Sequence, residues 1–202
     1  MSTSTRGRPR SFDREAALDK AMRLFWARGY EATSIGDLTT AMGIGAPSLY
    51  AAFGDKASLF REAVQSFGAQ FGQFIPRALA EEPTAEAAMR RSLRDAAVEY
   101  TRPGYPQGCL VMTAGVNTNS GEVADLLREL RTRNIGLLTE RIQADIDAGV
   151  LDAEVDAPTM ARYIGTVLQG MSQASRDGAS RAELEQVAEL AMHGWGRTAP
   201  KV

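Results

Sequence analysis

Apolar residues recur every three to four positions along most of this chain, which is the period of an amphipathic α-helix. The clearest case is the segment from Asp13 to Arg28, with apolar residues at Ala17, Leu18, Ala21, Leu24 and Phe25. Segments with the same period follow at residues 55–79, 84–100, 108–118, 121–148, 157–175 and 181–194. No segment shows the strict alternation of a half-buried strand. The pattern predicts an all-α fold.

Residues 33–59 predict two short helices, a tight turn and the start of a third helix. Ser34 and Asp37 have the spacing of a capping box. Gly43 can take the left-handed conformation that ends a helix, and Pro47 is tolerated in the first turn of the next one. This layout is typical of a DNA-reading helix-turn-helix, although two short helices joined by glycine also occur in ordinary bundles.

Further motifs make the interpretation more specific. They are Thr33-Ser34, Ala41-Met42-Gly43-Ile44, Pro47-Ser48-Leu49-Tyr50 and the segment Phe53 to Phe60. These motifs, in about the first quarter of the chain, resemble the TetR family of bacterial one-component transcriptional repressors. The resemblance implies a three-helix DNA-binding domain followed by a helical domain for ligand binding and dimerisation. We therefore expect a basic arm at residues 1–10, a helix-turn-helix domain at 11–60 and an effector-binding and dimerisation domain at 61–202.

Composition and charge agree with a regulator of this kind. The chain has 202 residues, of which 44% are hydrophobic, so it can build a proper core. Residues 1–61 carry a net charge of +3 and the remainder −5, which directs a polyanion to one end of the protein. The single cysteine excludes an internal disulfide framework, and no apolar run resembles a signal peptide or membrane span. We expect a cytoplasmic protein without a membrane partner.

Candidate DNA contacts lie at the helix starts, on the recognition helix and in the arm. Helix N-termini attract phosphates, so Ser34 and Lys56 are expected at the DNA backbone, and the resemblance assigns Tyr50 the same role. The recognition helix has no Arg, Asn or Gln for a bidentate base contact, and Gly36 stands where many relatives have a longer polar residue. The full candidate set is Arg6, Arg8, Arg10, Thr33, Ser34, Gly36, Ala46, Pro47, Ser48, Tyr50 and Lys56.

The second half of the chain predicts a dimer interface and an effector pocket. Two apolar stripes near the C-terminus suit pairing with a second copy in a four-helix bundle, as the resemblance implies, although packing within one subunit would explain the same periodicity. Aromatic and methionine side chains with a few polar groups suit a ligand cavity, but most such residues are simply core. The candidate ligand-binding residues are Phe67, Phe71, Phe74, Tyr100, Cys109, Met112, Asn117, Tyr163, Val167 and Met171.

Other functions receive less support from the sequence. An enzyme or a metal sensor would have to rely on Cys109 and His193, the single cysteine and histidine, and neither lies in a catalytic or metal-binding motif. We therefore expect no catalysis and no cofactor. A DNA-bending protein would not need a body of two-thirds of the chain. A DNA-binding thiol sensor switched at Cys109 stays open, since a cysteine after a Pro/Gly-rich loop can be accessible. The favoured hypothesis is a homodimeric repressor of a palindromic double-stranded DNA operator, released by an unidentified small molecule.

The arm generates a first prediction. Arg6-Gly7-Arg8-Pro9-Arg10 resembles the core of an AT-hook, which enters the narrow minor groove of A·T-rich DNA, but an arginine-rich tail also makes nonspecific phosphate contacts. Deleting residues 1–10 should cost more affinity on sites flanked by A·T pairs than on sites flanked by G·C pairs. Fluorescence anisotropy with matched duplexes measures the two losses. Equal losses would assign the arm to nonspecific contacts.

Overall fold

The computed structural model describes residues 12–195, and within that range it contains ten α-helices and no strand. The arm with Arg6, Arg8 and Arg10 lies outside the described residues. The helices are α1 (Arg14–Arg28), α2 (Ile35–Met42), α3 (Ala46–Phe53), α4 (Lys56–Gln70), α5 (Phe74–Glu81), α6 (Ala85–Tyr100), α7 (Leu110–Thr113), α8 (Gly121–Asp147), α9 (Ala157–Arg176) and α10 (Arg181–Met192). The all-α prediction is confirmed.

The helix ends in the first sixty residues follow the local signals in the sequence. The Asp13 carboxylate caps α1 by accepting hydrogen bonds from two backbone N–H groups. Ser34 and Asp37 form the reciprocal capping box at the start of α2. Gly43 ends α2 with φ of 73°, in the left-handed region that costs a glycine little. The capping box predicted at Ser34 and Asp37 and the helix end predicted at Gly43 are thus confirmed.

An aromatic core holds α1, α2, α3 and the start of α4 together as one compact unit, here called the head. The Phe25 and Phe60 rings meet edge to face with their centroids 5.0 Å apart, and the Tyr30 ring lies 5.1 Å from that of Phe60. Leu38 of α2 and Leu49 of α3 are fully buried against this core. The head therefore positions α3 by packing its inner face and leaves the outer face open. Helix α4 crosses the domain boundary expected at residue 60.

The prediction of a single helix at residues 55–79 is wrong, because this segment forms two helices, α4 and α5. Glycine destabilises helices, and Gly68 and Gly72 flank the break. The Gln73 side-chain amide donates to the Gly68 carbonyl at 2.7 Å, which also accepts the Gly72 N–H at 3.2 Å, so both bonds close the end of α4. Pro76 lies in the first turn of α5, where its missing N–H has no helical partner to lose. Pro76 thus lies at the start of a new helix.

The helix predicted at residues 108–118 is also wrong, because α7 covers only a single turn of it. The rest folds back onto the head. The Glu31 carboxylate accepts hydrogen bonds from the Thr118 hydroxyl at 2.7 Å and the Asn119 N–H at 2.8 Å. These bonds lower the pKa of Glu31. Contacts 87 and 88 residues apart in sequence therefore override the local helical period.

The remaining helices, α5 to α10, form a second packed unit, here called the body. Helix α6 contacts α5, α8, α9 and α10, and α8 packs along α9. At Gly165 of α9 the Ile135 side chain of α8 occupies the space that a Cβ would need. The missing side chain at Gly165 therefore lets α8 and α9 pack closely within one subunit.

One buried carboxylate connects two ends of the body. Asp145 near the end of α8 is 4% exposed and accepts the Ala85 N–H at 2.6 Å, at the start of α6. Arg141, one turn earlier, pairs with the same carboxylate at 3.3 Å and donates to the Pro83 carbonyl at 2.6 Å. A buried charge is tolerated only when it is paired and hydrogen-bonded. Asp145 thus fixes the end of α8 to the start of α6.

We predict that Asp145→Ala lowers the free energy of unfolding by about 3 kcal/mol, because it leaves the Arg141 charge and the Ala85 N–H without their partner. Asp147→Ala is the matched control: it removes an exposed carboxylate from the same helix and should change stability by less than about 0.5 kcal/mol. Urea unfolding followed by circular dichroism measures both. Similar losses for the two variants would contradict the role of Asp145.

Candidate DNA interface and effector cavity

Helix α3 presents a narrow, nearly uncharged outer surface. Leu49 and Phe53 are buried on its inner side, and Pro47, Ser48 and Tyr50 are exposed on the other. Tyr50 is 49% exposed, so its hydroxyl is free to reach a ligand outside the protein. Ala46 is half-buried, and Ala51 adds a further exposed methyl group. This surface offers methyl groups and two hydroxyls to a groove, with no side chain able to make a bidentate base contact.

The start of α2 lies beside this surface. Ser34 is exposed, but its hydroxyl is engaged with the Asp37 carboxylate, which also pairs with Arg28 at 3.2 Å. Gly36 is exposed and would accept a Cβ without a clash, since the nearest atom would lie 3.6 Å away. Thr33 is fully buried, and its hydroxyl donates to the Gly29 carbonyl at 2.7 Å. The expectation that Thr33 contacts DNA is therefore wrong, because its side chain is buried and bonded to Gly29, the residue that ends α1.

Lys56 begins α4 and is held by an aromatic ring. Its Nζ lies 4.2 Å from the centroid of the Tyr30 ring, a cation–π arrangement. Burial lowers the pKa of the Lys56 ammonium, and the nearby Glu31 carboxylate opposes that shift. The preceding residue, Asp55, caps α4 through the Ser58 N–H at 2.7 Å. The Tyr30 ring and the Asp55 cap thus hold the Lys56 ammonium group at the start of α4.

A cavity of about 270 Å³ lies between the head and the body. Its walls come from α1, α4, the α4–α5 break, α5, α6, α7 and α8, and they are mainly aromatic and aliphatic. Its lining residues are Trp26, Val64, Phe67, Gly68, Phe71, Gly72, Gln73, Phe74, Ile75, Pro76, Glu99, Tyr100, Gly108, Cys109, Val111, Met112, Leu130, Arg133, Asn134 and Leu137. An apolar cavity with a few polar groups at its edge is the usual form of a small-molecule site.

The structure brings together part of the predicted ligand-binding set. The residues that do line the cavity are Phe67, Phe71, Phe74, Tyr100, Cys109 and Met112. Four others do not, so their assignment to this cavity is wrong. Asn117 is exposed in the turn after α7, the Tyr163 hydroxyl donates to the Ala191 carbonyl, Val167 lies half-buried on α9, and Met171 is core. No residue of α9 lines the cavity, which helical periodicity could not reveal.

Trp26 is one of the cavity residues that sequence reasoning missed, and it is the one that belongs to the head. Its ring meets Phe67 and Phe71 at centroid distances of 4.8 and 5.1 Å. Its indole N–H donates to the Gly108 carbonyl at 3.2 Å, and its own carbonyl accepts from Arg176 of α9 at 3.1 Å. The available signal was its position four residues after Met22 on one face of α1. Trp26 places a head residue directly in the wall of the cavity.

Cys109 lies at the cavity wall but is a poor nucleophile. It is 8% exposed, and burial raises the pKa of its thiol to about 11, outweighing hydrogen bonds from the Met112 and Val111 N–H groups that lower it. A thiolate is the reactive form of cysteine, so this thiol is largely unreactive at neutral pH. Among residues 12–195 no group of three His, Cys, Asp or Glu side chains is placed to hold a metal ion. None of the helices described is long and apolar enough to cross a membrane.

The outer faces of α9 and α10 leave apolar side chains uncovered. Tyr163 is 46% exposed on α9, and Val187 and Leu190 are 43% and 65% exposed on α10. Isolated exposed apolar residues are normal, but these three belong to adjacent helices at one side of the body. They leave apolar side chains of both helices open to solvent.

Comparison with known proteins gives this arrangement a family. Residues 17–63 match the model for bacterial regulatory proteins of the tetR family, and residues 85–191 match that for the tetracyclin repressor-like C-terminal domain. The chain is 34% identical over 194 residues to the HTH-type transcriptional repressor ComR of Escherichia coli (strain K12), covering 95% of this chain and 92% of ComR. It is 28% identical to the repressor BdcR of the same organism, covering 92% and 90%.

A solved structure is similar over nearly the whole chain. It is a cysteine mutant of the TetR family transcriptional regulator CifR, complexed with a 26-bp double-strand operator DNA. CifR is 41% identical with a TM-score of 0.87, over 93% of this chain and 100% of that one. The helix-turn-helix head and the helical body thus define a bacterial transcriptional regulator. The chain belongs to the TetR family.

The burial of Cys109 generates a prediction about thiol chemistry. Since its pKa stands near 11 against an ordinary value of 9.0, the native protein at neutral pH holds roughly a hundredth of the usual thiolate fraction. Reaction with Ellman's reagent at pH 7.5 should therefore be at least tenfold slower in the native protein than in urea, and should accelerate as the pH rises. Because Cys109 is the single cysteine, the signal needs no assignment. A native rate equal to that of a free thiol would contradict it.

Proposed function

We propose that this protein is a homodimeric transcriptional repressor that binds a palindromic DNA operator through α3 and releases it when a small molecule occupies the cavity. The observation that carries the proposal is the position of Trp26, which belongs to the head and lines the cavity. A ligand there touches the DNA-binding unit itself. Support for repression comes from ComR and BdcR, which are named transcriptional repressors.

The operator-binding part rests on the exposed surface of the head. CifR, at 41% identity, is complexed with operator DNA. In this chain the exposed Ser48 and Tyr50 lie on the helix that would enter the major groove, and the start of α4 at Lys56 would contact the phosphate backbone. With so few polar groups, α3 would read thymine methyl groups and DNA shape more than hydrogen-bond patterns.

The dimer part rests on the surface of α9 and α10. Tyr163, Val187 and Leu190 would lie at the centre of an interface between two copies, where the same patch meets itself around a two-fold axis. Two heads related by that axis would fit two half-sites roughly 34–36 Å apart, one turn of DNA. The symmetry of the operator would then follow from the symmetry of the protein.

Release would follow from the contact between cavity and head. The cavity lies under α1 and α4, with Trp26, Phe67 and Phe71 in its wall. Since packed helices move as rigid bodies, a ligand that displaces these rings would shift the head against the body and change the spacing of the two recognition helices. A thiol switch at Cys109 is less favoured, because burial holds the thiol in its protonated form.

Lys56→Ala should weaken binding to all operator variants by a similar factor and reduce the slope of log Kd against log salt by about one, since each phosphate contact releases about one counterion. Arg77→Ala is the control, because it removes the same charge from the exposed surface of α5 in the body. Anisotropy titrations between about 50 and 200 mM salt cover the range where such slopes are resolved. An unchanged slope for the Lys56 variant would exclude a phosphate contact.

Ligand and operator should oppose each other by the same factor, because coupling between two binding equilibria is reciprocal. A compound found by thermal-shift screening should lower operator affinity by about 5- to 150-fold, the common range of such couplings. Calorimetry with and without saturating operator should give the same ratio of ligand affinities. A ligand that binds equally well to the free and DNA-bound protein would contradict release by this cavity. Release by oxidation alone would point to Cys109.

A further inference from the structure

A second cleft, of about 190 Å³, adjoins the effector cavity and has a different chemistry. It lies between α8 and α9, with residues of α5 and α7 at its inner end. Its lining residues are Ile75, Met112, Arg128, Arg131, Thr132, Asn134, Ile135, Leu138, Arg162, Gly165, Thr166, Leu168 and Gln169. Three guanidinium groups, two hydroxyls and two amides thus surround a space in which no acidic side chain takes part.

The arginines of this cleft are poorly neutralised by the protein. Arg128 pairs with Asp125. Within residues 12–195, no carboxylate lies within 4 Å of Arg131 or Arg162. Arg131 is half-buried and donates to the Val111 carbonyl at 2.9 Å, which fixes its position. Burial first, and the Arg128 charge second, lower the pKa of Arg131, so two like charges are held together at a cost. An anion in the cleft would relieve that repulsion.

The cleft and the effector cavity share a wall. Ile75, Met112 and Asn134 line both spaces. The apolar cavity and the cationic cleft are therefore neighbours with these three residues in common. Met112 is unbranched and flexible, and a shift of its side chain would join the two spaces. One molecule with an apolar part and an anionic part would fill the cavity with the first and bind the cleft with the second.

We infer that the effector is an amphipathic anion whose apolar body fills the cavity and whose carboxylate or phosphate group binds Arg131 and Arg162 in the cleft. This inference rests on the proposed function in taking the cavity as the effector site. A dry cavity of about 150 Å³ accommodates benzene, so 270 Å³ accommodates an apolar body of about 8 to 11 heavy atoms. Guanidinium groups bind carboxylates and phosphates through paired hydrogen bonds, and Thr132 and Gln169 supply further donors.

Arg133 is the competing anchor, since it lines the apolar cavity directly. Arg133 is exposed, as are Arg128 and Arg162, so an anion held by Arg133 alone would stay hydrated and gain little. Arg131 is half-buried beside two further guanidinium groups, where charge-assisted hydrogen bonds are stronger. The cleft is therefore the favoured position of the anionic group, and the two positions are separable by substitution.

The test uses compounds with one apolar body and different head groups: octanoate, octyl phosphate and 1-octanol, and in parallel 3-phenylpropanoate and 3-phenylpropanol. Calorimetry of the purified full-length protein without DNA gives their affinities. At least one anion should bind about 10- to 100-fold more tightly than its alcohol, as expected for hydrogen bonds to a charged group. Carboxylate and phosphate are both anions that guanidinium groups bind, and the compound with the higher affinity identifies the preferred head group.

The variants locate the anion. Arg131→Met and Arg162→Met should each reduce anion affinity about tenfold or more and leave alcohol affinity unchanged, whereas Arg162→Lys should retain part of it because the charge remains. Arg77→Met, outside both spaces, controls for net charge and folding. Equal affinity of acid and alcohol, no binding by either, or loss of the preference in Arg133→Met alone would overturn the inference. Anion binding that leaves operator affinity unchanged would instead overturn the proposed release and leave the head-group assignment standing.

Discussion

The packing of Trp26 between head and body is the contact on which the rest of the structure depends. The indole lies near the end of α1, against Phe67 of α4, Phe71 of the α4–α5 break and Tyr105 of the loop before α7. Its N–H and its carbonyl are both bonded to the body, to Gly108 and Arg176 respectively. A buried indole N–H needs such a partner. Because Trp26 lines the cavity and also bonds the head to the body, the two units cannot move apart without disrupting the cavity wall.

The features predictable from the sequence are those decided by neighbouring residues. The capping box at Ser34 and the left-handed Gly43 depend on a few consecutive positions, and the aromatic spacing of α4 already pointed Phe67 and Phe71 to a cavity. The break after Gln70 was not predictable, because one glycine on either side is a weak signal against a strong apolar period. The short α7 was not predictable either, since Glu31 captures the following turn from far away in the chain.

The cavity shows the same division between local and distant causes. Its α4 and α6 walls follow from helical spacing, whereas the α1 wall and the α8 arginines come from segments that only the tertiary fold brings there. Tyr163 and Met171 were assigned to the cavity from composition, yet one faces α10 and the other fills the core. Residue type indicates which side chains could line a ligand site, but the rotation of each helix about its axis decides which of them face it.

The shared wall at Trp26 also limits how such a protein can acquire a new specificity. A substitution at Trp26, Phe67 or Phe71 alters both the ligand site and the contacts that hold the head on the body. A change that favours a new ligand therefore also changes the position of the recognition helix when no ligand is bound. Leu130, Arg133 and Leu137 also line the cavity, but they belong to α8 of the body. Variation there changes the shape offered to a ligand and leaves the head's support intact. Divergence within a lineage, or laboratory evolution of a biosensor, is therefore expected to proceed mainly through the α8 wall.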